Sequence, residues 1–427
     1  MRAVLPVVLA AQFVVPMSIS GTAIALPVIA ADLGSDPAPL QWVVNGFNLA
    51  FALFTVVWGA VSDRIGHRAS FRSGVVLAAA ASVISASAPS LLWLDAARVF
   101  AGIGAAAVLV GSTSILSLHF QGTERATAFA LFGTVNGLGL ALGPTISGLL
   151  VAAFDWRGVF AAHALVLALA AIGTAALPVL RAESTSDRLL DFTLLRNRRF
   201  LALCLVPVAG ALGFVTLLTY LPAALSGVAS LSPGRAGLFM LAMTIPVLLA
   251  PLTVARLSSR FDTLTPDRVI LTSLGCLVLG NLGMLFLQPG LPLPALVIPM
   301  ILVGLGFGLP IGLVDGQALA AVPAHSNGTA AGVLNLFRIG SEAAAVAGYA
   351  WLLTLLVRRQ VPDGADADAA ASGQPGFADA YAHAFSEVIA LVAVSVAVTA
   401  AVIIVLSRTA RSNVSSANAL SATGDPR

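Results

Sequence analysis

Glu342 and Arg338 stand four residues apart inside one long apolar run, and Asp95 and Arg98 stand three apart inside another. Either spacing puts both charges on one face of a helix, where they can neutralise each other. Ionisable side chains in apolar surroundings are costly, so they face protein or water and mark ion or substrate pathways. For Glu342 and Arg338 two readings stay open: a structural ion pair, or a proton site whose affinity changes as the arginine moves nearer or farther. For Asp95 and Arg98 the two are a structural ion pair near the outer surface and a role in proton or substrate coupling. Asp315, near the inner end of a further run, suits a boundary role and a functional one equally. Ser18, Ser20 and Thr22 are candidates to line a cavity, with Asn45, Asn48, Asn136, Thr219 and Tyr220. Phe13, Phe214 and Phe307 would add an apolar wall. Such a cavity suits amphipathic or weakly cationic organic molecules. His119 and His163 lie near helix ends, where a structural role is the simpler reading.

The elements that position these groups follow from hydropathy. The chain is 58% hydrophobic and 10% charged, with a mean hydropathy of +0.97, whereas a soluble domain is about a quarter charged. Apolar spans fall near residues 3–29, 39–62, 70–89, 91–115, 125–152 and 157–180, and again near 199–225, 234–257, 268–288, 293–317, 328–357 and 380–407. Each has the roughly twenty residues needed to cross the hydrocarbon of a bilayer. The spacing predicts twelve helices. The first, although preceded by Arg2, is too long for a signal peptide and reads as a retained helix.

Charge orients them. All 22 basic residues are arginine. With both termini inside, 16 arginines are cytoplasmic and only Arg157, Arg235, Arg358 and Arg359 fall outside. That asymmetry is the positive-inside rule, so the basic balance reports topology and does not imply nucleic-acid binding. Cys204 and Cys276 sit in the seventh and ninth spans and read as small buried apolar residues, with no disulfide or metal pattern.

Two halves repeat with an offset of about 195. Leu26-Pro27 matches Leu221-Pro222, Asp36-Pro37 matches Ser232-Pro233, and Ser62-Asp63-Arg64 matches Ser258-Ser259-Arg260. Duplicated halves with a site at the midplane between them typify transporter folds. The expected units are 1–180, a six-helix bundle; 181–198, a polar basic linker; 199–407, a second bundle; and 408–427, a disordered tail. The stretch near 360–380 reads as a solvated outer loop; its Asp363, Asp366 and Asp368 are a weak cation candidate.

Between the second and third spans lies GAVSDRIGHR, Gly59 to Arg68. Gly59 and Gly66 allow close approach and a turn, and Asp63, Arg64 and Arg68 sit at the lipid boundary. In the fifth span, Gly139, Gly143 and Gly148 place small residues where a neighbouring helix can pack, and Pro144 removes a backbone donor and should kink the helix.

These stretches carry a resemblance. GAVSDRIGHR resembles the loop signature between helices two and three of the major facilitator superfamily, with His67 standing where Arg or Lys is usual. The resemblance implies an all-α membrane fold of two pseudo-symmetric six-helix bundles. It also implies that Asp63 faces the N-terminus of the eleventh helix near Gly328 and Thr329, as a latch worth about 0.3–1 kcal/mol when exposed. Arg98, Gly102 and Gly104 resemble the family's fourth-helix motif, with Ala101 replacing a frequent glutamine. The run Gly139–Gly148 is similar to the antiporter motif of drug:proton exporters, with Ser147 replacing a glycine. Gln41-Trp42-Val43, Trp156-Arg157, Tyr220-Leu221-Pro222 and Leu195–Phe200 fit the same exporters, whose helices one, four, seven and ten line the cavity. Relatives often carry an acid in the first helix where this chain has Ser18.

No nucleotide-binding loop, zinc spacing or nucleophile elbow is present. The expected protein is not an enzyme and needs no cofactor. It is a monomeric, multi-pass transporter of a bacterial cytoplasmic membrane, exporting drugs or similar small molecules in exchange for protons drawn down their gradient. Its partners would be the bilayer, protons and its substrate. The alternatives are an uptake carrier for a small metabolite and a non-transporting sensor or assembly partner.

Overall fold

A backbone crossing hydrocarbon must satisfy its own donors and acceptors, so apolar runs of this length become helices. The computed structural model describes residues 4–120, 122–177, 192–258, 260–261, 263–322, 327–361, 364–371, 373–374 and 376–422, and among them there is no strand. The first half holds α1 (Val4–Gly21) and α2 (Leu26–Leu33), α3 (Pro37–Ile65), α4 (His67–Ala86), α5 (Leu91–His119) and α6 (Gly122–Gly173). The second holds α7 (Arg198–Gly210) and α8 (Thr216–Ala229), α9 (Pro233–Phe239) and α10 (Leu241–Ser258), and α11 (Pro266–Met284). It continues with α12 (Val297–Gly308) and α13 (Leu313–Ala320), α14 (Asn327–Gln360), α15 (Gly364–Ala371) and α16 (Ala378–Ala422).

Ten stretches of the described residues are long and apolar enough to cross a membrane. One of them, Leu131–Ala176, covers the fifth and sixth expected spans. Helix α6 is interrupted inside it at Phe154 and Asp155, the latter with φ of 62°. The second expected span coincides with α3, which is not among the ten.

The duplication is visible in the packing. Helix α4 packs on α5 as α11 packs on α12, and α3 packs on α5 as α10 packs on α12. Likewise α1 packs on α6 as α7 packs on α14, and α4 on α6 as α11 on α16. Large apolar side chains such as Leu92, Ile172, Ile298 and Trp351 remain exposed. On a protein of this class that surface is the one that meets lipid.

The first helix of each half is irregular at its middle. Thr22–Ala25 forms a 3-10 turn between α1 and α2, and Ala211–Val215 a π turn between α7 and α8. Ser20 and Thr22 bond back to the carbonyls of Pro16 and Ser18, a pattern that bends helices, and Pro27 lacks a donor for the turn before it. At the end of α2, Asp32 accepts from Trp156 Nε1 at 3.0 Å and from Arg157 at 2.6 Å, tying α2 to the second arm of α6.

Several local expectations are corrected. The segment read as a solvated outer loop contains α15, whose Ala367, Ala370 and Ala371 are buried and which packs on α14. Helix α16 runs on through Ala422, into the segment expected to be irregular. Gly59 makes no close approach: a β-carbon there would meet nothing. Gly66 does make the turn, with φ of 90°.

Candidate functional site

The halves enclose a small cavity lined by Ile19 of α1, Asn48 and Phe51 of α3, Val215 of the π turn, and Ile339, Glu342 and Ala343 of α14. Both irregular turns border it, Ile19 just before one and Val215 at the end of the other. Asn48 belongs to the expected lining and takes its place. The helices concerned are the first, second, seventh and eleventh rather than the first, fourth, seventh and tenth. Phe214 and Phe307, expected as a wall, stack on each other with ring centroids 4.3 Å apart, and Phe214 is fully buried.

Glu342 is partly buried and, among the described residues, neither hydrogen-bonds nor forms an ion pair. The expected pairing with Arg338 is corrected. Arg338 Nη2 instead donates to both carboxylate oxygens of Asp315, at 2.9 and 3.0 Å. The reason is reach: α13 runs beside α14 and presents Asp315 to the guanidinium, so the pair forms between helices rather than along one. Asp315 thus holds Arg338, and Glu342 stands on the wall between the halves with no hydrogen bond or ion pair among the described residues.

The pairing of Asp95 with Arg98 is corrected in the same way. Arg98 is 1% exposed. It donates from Nε to the carbonyl of Val43 at 2.9 Å, from Nη1 to Ser18 Oγ at 2.8 Å and from Nη2 to the carbonyl of Ser18 at 3.3 Å. Its guanidinium lies 4.4 Å from the Phe47 ring centroid and 5.5 Å from that of Phe160. Hydrogen bonds and aromatic faces together offset the cost of the buried charge. Ser18 is therefore a ligand of Arg98 inside the first bundle and not part of the wall between the halves.

The other expected lining residues go elsewhere. Thr22 bonds its own helix at Ser18. Asn136 accepts from Gln12 Nε2 at 2.9 Å, joining α6 to α1. Asn45 has a buried Oδ1 with no partner. Tyr220 bridges the halves, its hydroxyl reaching Gln41 Oε1 at 2.9 Å and the Val346 carbonyl at 3.1 Å, and its ring stacks on Tyr349 at 4.6 Å. Gln12, Phe160 and Tyr349 were not singled out in the sequence. The signal for Gln12, an amide in an otherwise apolar helix, was available.

In the Gly59–Arg68 loop, Ser62 Oγ and His67 Nδ1 bond at 2.8 Å, and Arg68 donates to the carbonyl of Ala175 at 2.9 Å. Arg64 is exposed. Gly328 and Thr329 lie in the first turn of α14. The side chains of Asp63, Thr329 and Asp368 lie outside the described residues, as do Ser259 and Asp363 in whole.

The glycine run of α6 has two faces. A β-carbon at Gly139 would stand 2.6 Å from the carbonyl oxygen of Phe13, and one at Gly21 would stand 2.8 Å from that of Gly143. That face packs α1. At the other end, a β-carbon at Gly148 would stand 2.6 Å from the Pro233 carbonyl oxygen. One at Gly237 would stand 2.7 Å from that of Pro144, and Thr145 Oγ1 donates to the Gly237 carbonyl at 2.7 Å. This face packs α9, across the boundary between halves.

Gly237→Val should therefore disfavour the arrangement seen here. The obstructing atoms are backbone, so the helices must part, at an overpacking cost of about 1–3 kcal/mol, or roughly a tenfold to hundredfold shift in population. A cysteine placed at buried Ser226 of α8, with Cys204 and Cys276 replaced by serine, would report it by labelling with a membrane-impermeant maleimide. Faster labelling is expected with Gly237→Val; an unchanged rate would show that this contact does not hold the halves together.

The profile of the Major Facilitator Superfamily matches residues 8–346. The multidrug efflux pump LfrA of Mycolicibacterium smegmatis is 26% identical over 390 residues, which are 78% of this chain and 76% of that protein. A puromycin resistance protein of Streptomyces alboniger is 35% identical over 186 residues, 43% of this chain and 37% of that protein. Among solved structures, a bacterial homolog of the human lysosomal transporter Spinster superposes with a TM-score of 0.69 at 19% identity, covering 95% of this chain and 96% of that one.

Proposed function

Since the chain belongs to the Major Facilitator Superfamily, whose members are transporters and not enzymes, we propose that it exports small amphipathic organic molecules, weakly cationic ones among them, in exchange for protons. The observation that carries this reading is the Glu342 carboxyl on the wall shared by the two halves, without a hydrogen bond or ion pair among the described residues. An ionised carboxylate in such a place is stabilised either by a proton or by a cationic ligand, and the two compete for it. Competition for one acid, combined with rocking of the halves, is sufficient to couple opposite flows. Ile19, Phe51, Val215 and Ile339 give the cavity an apolar lining that suits an amphipathic cargo. Relatives described as a multidrug efflux pump and an antibiotic resistance protein support export over uptake.

In this reading the membrane is the bacterial cytoplasmic membrane, both termini are inside, the energy source is the proton gradient and the protein acts as a monomer. Residues 1–180 and 199–407 move as bundles about the linker 181–198. The contacts of Tyr220 with Gln41 and of Gly237 with Pro144 and Thr145 then lie on the outer side. The loop Gly59–Arg68 gates the inner side, with Asp63 as its latch.

Inverted membrane vesicles with an acidic interior test the proposal. Ethidium, a planar aromatic cation, should accumulate in vesicles carrying the protein and leak out when nigericin collapses the gradient. Accumulation that survives the collapse would sink proton exchange.

A further inference from the structure

One half-buried carboxyl plays no part in the cavity. Asp95 lies one turn into α5, and its Oδ1 is shut from solvent with no hydrogen-bond partner. Arg98, a turn further on, directs its donors to Ser18 and Val43 instead. Every ligand of that guanidinium is neutral: one hydroxyl, two carbonyls and two aromatic faces. His163, 1% exposed with its Nε2 unpartnered, meets Phe160 edge-on at 6.3 Å on the far side of the same cluster.

Other titratable groups near Asp95 are few. Its own helix contributes Arg98, and the second arm of α6 contributes Arg157 and His163. Asp32 at the end of α2 is held by Arg157 and Trp156. Residues 40–62 of α3 and 74–86 of α4 contain none.

The position of this cluster relative to the cavity is the second observation. Ser18 and Phe47 hold Arg98, and the residues that follow them, Ile19 and Asn48, line the Glu342 cavity. Helices α1 and α3 are thus a shared wall. Any shift of that wall on loading the cavity moves the acceptors of Arg98 as well.

We propose that Asp95 is a second proton-carrying carboxyl of the transport cycle, with Arg98 switching between the neutral nest of Ser18 and Val43 and the Asp95 carboxylate. In the arrangement seen here Asp95 holds its proton, because an ionised carboxylate with one oxygen shut from solvent and without a hydrogen bond is costly. When α1 and α3 shift, the guanidinium loses its acceptors and turns to Asp95, and the O–H bond of the carboxyl breaks. The proton leaves to water and the carboxylate pairs with Arg98; uptake of a proton from the opposite side reverses the step. Neutral Ser18 is what permits the exchange, since an acid at that position would pin the guanidinium. The proposal rests on the Glu342 reading only for what drives the shift.

Infrared spectroscopy of the purified protein in lipid at neutral pH tests it without a known cargo. Exposed carboxyls are ionised at that pH, so a protonated-carboxyl band reports buried acids. Labelling all aspartates with 13C at the carboxyl should shift one component of the band, and Asp95→Asn should remove that same component. Glu342→Gln should remove a different, unshifted one. Ser18→Ala, which deletes an acceptor of the nest, should diminish the aspartate component. No isotope-sensitive component, or one that survives Asp95→Asn, would overturn the proposal, and an aspartate component indifferent to Ser18→Ala would overturn the switch. Loss of the aspartate band with a silent Glu342→Gln would instead refute the Glu342 reading and leave Asp95 standing. Where Asp95→Asn fails to fold, Asp95→Glu in aspartate-labelled protein takes its place: the shifted component should give way to an unshifted one, and a shifted component that remains would overturn the proposal.

Discussion

Glu342→Gln is expected to abolish gradient-driven accumulation of ethidium while leaving the protein folded. A pH difference of one unit supports about a tenfold concentration ratio per proton exchanged, and the variant should fall to a ratio of about 1. The glutamine amide keeps the size of the side chain but can neither bind a proton nor balance a cation. Folding should survive because Glu342 supports no hydrogen bond or ion pair among the described residues. Binding and coupling should separate as well. Facilitated equilibration of a neutral amphiphile would persist, since Ile19, Phe51, Val215 and Ile339 are untouched. The comparison variant is Asp315→Asn, which releases Arg338 without removing the cavity acid. Both members of that pair are about a third or more exposed, so its loss should cost less than about 1 kcal/mol of stability. Full accumulation by Glu342→Gln at normal expression would place the coupling acid elsewhere.

Arg98→Ala is expected to be the most damaging single change to stability, at about 2–4 kcal/mol. The side chain satisfies acceptors on two other helices and fills the space between Phe47 and Phe160. Hydrogen bonds from a charged group contribute about 1.5–3 kcal/mol each, and a desolvated cation–π contact about 2 kcal/mol. Relief of the buried charge offsets much of that sum. Arg98→Lys should lose less, because an ammonium still donates, although it lacks the planar fork that reaches Ser18 and Val43 together. Fully buried Cys204 supplies the measurement. In a Cys276→Ser background, a thiol-reactive dye should report unfolding at a temperature lower by roughly 4–12 °C for Arg98→Ala. A shift no larger than that of Asp315→Asn would mean that the guanidinium does not hold α1, α3 and α5 together.

These two residues also show how far the sequence carries. Glu342 and Arg98 were legible as embedded charges because each interrupts an apolar run, and that is a local property. Their partners were not. The spacing of Arg338 and Glu342 says correctly that they share a helix face, but not that Asp315, 23 positions earlier, comes closer. The spacing of Asp95 and Arg98 suggests an intrahelical pair, whereas the guanidinium donates three hydrogen bonds to acceptors on helices packed across α5. Ser18 was noted as polar and assigned to the wrong side of its helix. The side a residue faces in an all-apolar helix carries little periodic signal, because lipid and protein interior both accept apolar side chains. The glycine run, by contrast, was read correctly as a packing surface, since absence of a side chain is itself the message. That one of its faces spans the boundary between halves depends on α9, about ninety residues away.

By itself, the sequence determined a helical membrane protein with duplicated halves, because hydrocarbon thickness and the demand for internal backbone bonds act on every stretch of chain independently. It also marked the few residues costly enough to need a reason. Only the tertiary structure decided which charges are paired, which acid is left alone and which residues meet between the halves. Those outcomes depend on distances of 3 Å or so between side chains from different helices, and no spacing along the chain encodes them.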